Sequence, residues 1–153
     1  MNVAIGVDHR GYAIKSDLIS ILRAAGCEVI DFGAHSEESV DYPDYAAVVA
    51  ESVASGQADR GIIVCGSGVG ACVAANKVAG VRAGMCHDTY SARQGVEHDD
   101  MNVLCLGSGI VGLSLIQELL DAFLGARFAD HEERYVRRLH KVQALERGTR
   151  LKP

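Results

Sequence analysis

The chain has 153 residues and a mass of 16.2 kDa, the size of one domain able to bury a substantial core. Apolar residues make up 48% and charged residues 23%, a globular composition that excludes a largely disordered chain. Twenty acidic against fifteen basic residues leave a net charge of −5, which argues against a nucleic-acid-binding surface, and no apolar run reaches the roughly 18–20 residues of a membrane span.

Residues 1–7 carry no basic leader and run directly into a first predicted strand, Val3–Val7. Ile14, Leu18, Ile21, Leu22 and Ala25 then recur at helical spacing, with Gly26 as the stop. A second strand is predicted over Glu28–Phe32, followed by the turn Asp41-Tyr42-Pro43-Asp44 and a helix marked by Tyr45, Val49 and Val53. The third strand, Gly61–Cys65, leads into a helix over about Val69–Asn76. After the fourth, Arg82–Cys86, Asp88 is the expected N-cap of a helix over Thr89–Glu97. His98-Asp99-Asp100 reads as a loop before the fifth strand, Val103–Leu106. A helix from about Ile110 to Leu124 presents Leu115, Ile116, Leu119, Leu120 and Phe123 on one face. The last helix is charged, with Tyr135, Leu139 and Val142 as a narrow apolar stripe.

Strands alternating with helices imply right-handed crossovers and a parallel sheet covered on both faces. The expected fold is therefore α/β: a Rossmann-like, three-layer αβα sandwich around a five-stranded parallel sheet. One domain should cover residues 1–147, with a tail at 148–153. Its last helix, about 130–147, has no strand after it and is expected to lie on a partner subunit. Ligands of such sheets bind beyond the carboxyl ends of the strands, which directs attention to the loops after residues 7, 65 and 106.

Charge is unevenly spread: residues 127–153 hold eight Lys/Arg against four Asp/Glu, the remainder seven against sixteen. A basic tail on an acidic body suits a small anion, and it also suits a solvated helix. The five cysteines, at 27, 65, 72, 86 and 105, are an odd set without CxxC or metal spacing, so reduced thiols and a cytoplasmic location are expected.

Two glycine-rich turns could carry chemistry. Gly107-Ser108-Gly109-Ile110-Val111-Gly112 is a literal G-x-G-x-x-G, but a dinucleotide site needs a further strand ending in an acid about 20 residues on, and only the charged tail follows. Cys65-Gly66-Ser67-Gly68-Val69-Gly70 places a cysteine at a strand's carboxyl end, before backbone N–H groups and a positive helix end. That setting lowers a thiol's pKa and can hold an oxyanion, and a buried cysteine beside a tight turn would look the same. Asp8-His9-Arg10-Gly11 ends the first strand at the same edge, able to orient a polar ligand or merely to cap a turn. Arg134 and Arg138 lie four apart on one helical face, as a phosphate clamp or as a solvated face would.

Taken together these segments resemble the ribose-5-phosphate isomerase B family, which includes galactose-6-phosphate isomerase subunits. The resemblance spans about residues 3–145 and rests on Asp8-His9, Asp41-Tyr42-Pro43, Cys65–Gly70, Ala75-Asn76-Lys77, Thr89-Tyr90-Ser91-Ala92, His98, Asn102-Val103-Leu104 and Arg134/Arg138. It implies an aldose–ketose isomerase with no cofactor and no metal, acting on a small sugar phosphate from sites shared across a homodimer, whose further pairing into tetramers stays open. By the same resemblance Cys65 is the base, Ser67 the hydroxyl beside it, and His98 of the partner the ring-opening acid–base. Gly66, Gly68, Val69 and Gly70 would hold the enediolate through N–H groups, Asp8 and Asp99 would face the sugar, and His9, Arg134 and Arg138 would hold the phosphate. Some relatives place a Glu base just after the turn, where this chain has Ala71. Many carry Asn at Asp99 and Arg at Gly109, so both departures remove donor or positive character near the phosphate. Ribose 5-phosphate and ribulose 5-phosphate are the expected pair. Beside it stand another sugar (allose or galactose 6-phosphate, a tetrose phosphate) and a non-catalytic nucleotide- or sugar-phosphate-binding module.

Overall fold

The structure, a computed structural model, describes residues 1–152. In chain order its elements are β1 (Asn2–Val7), α1 (Tyr12–Ala24), β2 (Glu28–Asp31), α2 (Tyr42–Ala54), β3 (Arg60–Cys65), α3 (Val69–Ala75), β4 (Ala83–Met85), α4 (Thr89–Asp99), β5 (Val103–Gly107), α5 (Leu113–Gly125) and α6 (Glu133–Glu146). The five strands form one sheet in the order β2-β1-β3-β5-β4, every pair parallel. This is the expected α/β architecture, with helices on both faces.

The two faces differ because the strands alternate. Val3, Ile5 and Val7 point into a core with Leu18, Leu22, Leu104, Leu106, Leu119 and Phe123, which joins the sheet to α1 and α5. On the other face Ala4, Ile63 and Cys105 meet Ala46, Val49 and Val53 of α2 and Ala71 and Ala75 of α3. Small residues let α2 approach closely: a β-carbon on Gly6 would stand 2.7 Å from Val49 Cγ2. That close seat fixes where α2 begins, and so where Tyr42 sits at the sheet's carboxyl edge.

Boundaries differ from the sequence reading where side chains outside an element decide. The Asp88 carboxylate accepts the Ser91 N–H at 2.7 Å, which is the expected cap. The helix it starts continues two residues further than expected, so His98 and Asp99 lie in its last turn and not in a loop. It stops at Asp100, held at φ 53° while its carboxylate pairs with Arg82 at 2.7 Å. The fifth helix begins at Leu113 and not near Ile110, because residues 108–111 are folded back onto β3 and β5 by backbone hydrogen bonds.

The last helix docks on its own chain. Tyr135 and Leu139 are buried, and the Tyr135 ring stacks on His98 of α4 with centroids 4.0 Å apart. Glu146 accepts the Gly80 N–H at 2.7 Å, tying the far end of α6 to the loop before β4. Two of the three stripe residues are thus covered within the chain, while Val142 and Leu145 stay exposed.

Candidate active site

The order of strands reverses between β1 and β3, and the loops that leave them diverge there to open a crevice. A cleft of about 550 Å³ occupies it, lined among others by Asp8, His9, Arg10, Tyr42, Cys65, Ser67 and Gly109. All three loops singled out from the sequence meet in this cleft.

Cys65 ends β3 and is buried, its Sγ accepting the Gly68 N–H at 3.2 Å. Gly68 has φ 82°, a left-handed conformation that glycine adopts without a Cβ penalty, and this sharp turn folds the amide back onto the sulfur. The turn is further braced by β5. Ser108 N–H donates to the Cys65 carbonyl at 2.9 Å and Gly109 N–H to the Gly66 carbonyl at 3.0 Å. A β-carbon on Gly107 would stand 2.7 Å from the carbonyl carbon of Ser67. The second glycine-rich motif therefore serves to pack one turn against the other. No strand follows α5, so the geometry of a dinucleotide fold is missing among the described residues.

Asp8 is almost wholly buried, and its Oδ1 accepts the N–H groups of Arg10 (2.8 Å) and Gly11 (3.1 Å). This carboxylate anchors the loop that leaves β1. His9 Nδ1 accepts the Val40 N–H at 3.2 Å, which places the ring proton of the neutral imidazole on Nε2 and leaves it free to donate to a ligand. Val40 belongs to the β2–α2 connection, and Lys15 holds that connection in place. Its ammonium donates to the Ala34 carbonyl at 2.9 Å and pairs with Asp31 at 2.9 Å. Tyr42 closes the wall opposite, its ring lying where a β-carbon on Gly70 would come within 2.6 Å of Cζ.

The other site candidates lie elsewhere in the chain. Helix α4 starts beside the carboxyl edge and runs back across the sheet for about 16 Å at 1.5 Å per residue. His98 and Asp99, in its last turn, therefore sit at the amino edge, next to the start of β5. Gln94 Nε2 lies 2.8 Å from His98 Nδ1, so an amide donor there leaves the ring proton on Nε2. Arg134 lies with this group, donating to the Tyr135 hydroxyl at 2.7 Å, and Arg138 follows one turn along α6. Both arginines and Asp99 are exposed. Asp8, His9, Cys65, Ser67, Gly66, Gly68, Val69 and Gly70 are thus gathered at one edge, and His98, Asp99, Arg134 and Arg138 at the opposite one.

The sequence reading passed over Arg10, Val40, Tyr42 and Ile110 as site residues, all of which line the cleft. Arg10, Tyr42 and Ile110 each stood in a motif named from the sequence, whereas Val40 stood in none. No cluster of metal-binding side chains occurs among the described residues, all five cysteines are free thiols, and no described helix is long and apolar enough to cross a membrane.

Comparison with known proteins connects this chain to a family. The family model described as Ribose/Galactose Isomerase matches residues 3–142. Ribose-5-phosphate isomerase B of Escherichia coli (strain K12) is 45% identical over 94% of this chain and 95% of its own. D-erythrulose-4-phosphate isomerase of Pectobacterium atrosepticum is 37% identical over 84% of this chain and 85% of its own. Among solved structures, ribose-5-phosphate isomerase B from Mycoplasma genitalium with bound ribulose-5-phosphate superposes with a TM-score of 0.90, at 38% identity and over 97% of both chains. A match over nearly the whole chain, in sequence and in fold, sets aside the non-catalytic binding module: the chain belongs to the ribose/galactose isomerase family, as a sugar-phosphate aldose–ketose isomerase of the ribose-5-phosphate isomerase B type.

Proposed function

We propose that the chain interconverts ribose 5-phosphate and ribulose 5-phosphate through an enediolate, in a site that two copies of the chain complete. The observation that carries this reading is the place of Cys65, at the strand end inside the cleft, with its sulfur on the Gly68 N–H and with Asp8 and His9 across from it. The Cys65 thiolate takes the proton from C2 of the open-chain aldose, and the electron pair left behind forms the enediolate. The same sulfur returns the proton to C1 while the hydroxyl proton on O2 passes to O1, which gives the ketose without net consumption of acid or base. Ser67 and the N–H groups of residues 66–70, apart from that of Gly68, which stays on the Cys65 sulfur, hold the sugar oxygens as charge develops on them. Asp8 holds hydroxyls of the sugar, and His9 donates from Nε2 to the phosphate.

Ring opening needs a further acid–base group, since in this scheme Cys65 serves C2 and C1 while Asp8 and His9 are engaged with the sugar hydroxyls and the phosphate. His98 supplies it from the partner subunit, and Asp99, Arg134 and Arg138 come with it, because the stacking of Tyr135 on His98 makes α6 and the end of α4 one unit. The arrangement is a homodimer with two such sites.

A panel of aldose phosphates in D2O, followed by NMR, tests the substrate. Ribose 5-phosphate should take up deuterium at C2 and yield ribulose 5-phosphate fastest. The relative named for erythrulose 4-phosphate favours a second reading, a tetrose phosphate. Faster conversion of erythrose 4-phosphate, or of a hexose 6-phosphate, would replace the pentose, and neither exchange nor ketose formation with any aldose phosphate would end the isomerase assignment.

A further inference from the structure

The cleft holds a cation that the reaction scheme has not used. Arg10 follows His9 directly in the loop leaving β1, and the end of its side chain lies against Gly66 of the Gly-rich turn. A β-carbon on Gly66 would stand 2.6 Å from Arg10 Nε and 3.3 Å from Cζ. The absence of a side chain at Gly66 is what gives the guanidinium this seat. The Gly66 carbonyl accepts the Gly109 N–H, so the turn on which Arg10 rests is itself braced by the turn that follows β5.

Its partners are missing. Among the described residues no hydrogen bond or ion pair reaches the Arg10 side chain, whereas Arg60 and Arg82 bond carbonyl groups, Arg93 pairs with Glu97 and Arg134 with Glu132. The nearest carboxylate in the loop, Asp8, accepts the backbone N–H of Arg10 and not its guanidinium, so it orients the loop without neutralising the charge. One residue away, His9 has Nδ1 occupied by Val40 N–H and Nε2 free to donate. A guanidinium and an imidazole N–H lining one cleft, neither satisfied by the protein, match the oxygens of a phosphate dianion.

We propose that Arg10 is a phosphate-binding residue of this site, clamping the phosphoryl group of the sugar phosphate together with His9 of the same chain. The inference rests on the isomerase reading above and adds to it a phosphate contact made in cis. Arg10 is exposed, so substitution leaves the core untouched.

The test compares wild type with Arg10→Gln and Arg10→Lys on ribose 5-phosphate, on ribose without phosphate, and in titrations with inorganic phosphate. An Arg–phosphate bond lost from a half-open site corresponds to about a 10–100-fold change. Arg10→Gln should raise KM for ribose 5-phosphate by about that factor at nearly constant kcat. It should leave turnover of free ribose unchanged and weaken inorganic phosphate in parallel, while Arg10→Lys recovers part of the loss. An unchanged KM, or equal losses on phosphorylated and free ribose, would overturn the proposal, the second by moving Arg10 to the sugar hydroxyls. If wild type failed to turn over ribose 5-phosphate, the substrate reading would fall on its own. Arg10 would then be judged by inorganic phosphate alone, whose equal binding to wild type and Arg10→Gln would overturn it and whose weaker binding to the variant would uphold it.

Discussion

At the level of single residues, Cys65 has a position that allows a clean test. Its side chain is small and buried at a strand end, so Cys65→Ala removes one sulfur from a site that the backbone still shapes. Isomerisation should fall by about 10²–10⁴ or more, the usual effect of removing a general base, while binding of the sugar phosphate stays within a few-fold. Single-turnover kinetics together with a binding titration separate the two, and near-normal turnover would exclude Cys65 as the base. Gly109 allows the opposite experiment, a gain. Its φ is not in the left-handed region, and a β-carbon there would come no nearer than 3.2 Å to the Gly66 carbonyl oxygen. An arginine can therefore be accommodated by a shift of a few tenths of an ångström. Gly109→Arg should lower KM for ribose 5-phosphate and leave free ribose unaffected, by less than an isolated contact would give because neighbouring charges on one dianion are not additive. Cys65 was legible in the sequence because strand end and glycine turn are written side by side. Arg10 was not, since a lone basic residue carries no period, and its seat is created by Gly66, distant in the chain.

At the level of elements, the strands and most helices could be read from apolar spacing, because their burial is decided by neighbours three or four residues away or by alternation. The exceptions are instructive. The run 98–100 looked like a loop because it is polar, yet α4 continues through it, with Tyr135 stacked on His98 and Arg82 holding Asp100. Lys15 sits within the apolar stripe of α1 and is mostly buried, with its partner Asp31 at the end of β2. Neither residue announces the other in sequence. Their pairing anchors the start of the β2–α2 connection, whose later residue Val40 donates its N–H to His9 Nδ1. Lys15→Met should cost about 2 kcal/mol of stability, less than the roughly 3–5 kcal/mol of a fully buried pair broken from one side, because Asp31 keeps part of its exposure. It should also raise KM for the phosphorylated sugar by loosening His9, at nearly constant kcat. Denaturant unfolding and steady-state kinetics check the two effects, and a loss of stability with unaltered KM would confine Lys15 to the scaffold.

At the level of the whole molecule, the candidate residues divide into two groups at opposite edges of one sheet, a division that motif spacing could not reveal because it depends on the direction in which α4 runs. If each site joins the two groups from different chains, two dead variants should repair one another. Cys65→Ala and His98→Ala homodimers are each impaired, and a mixed dimer has one site with both defects and one with neither. Random remixing after mild dissociation should restore about a quarter of wild-type activity, since half the dimers are mixed and each has one working site of two. No recovery, with mixed dimers shown by mass spectrometry, would place both residues in one chain's site. His98→Ala alone should slow the aldose direction more than the ketose direction, because ribulose 5-phosphate cannot close the corresponding ring, and equal losses would leave His98 a structural role beneath Tyr135.

The direction of α4 has one more consequence. If Cys65 is the base and the partner's His98 opens the ring, as proposed, a single chain cannot complete a turnover alone, however well it is folded. The amount of catalyst is then set by an association equilibrium, so on dilution below the dimer dissociation constant the rate should fall with the square of protein concentration while circular dichroism stays that of the native chain. Substrate bound across the seam would oppose this loss and act as a glue between the subunits, so that in very dilute solution the enzyme would be most fully assembled where its substrate is most abundant.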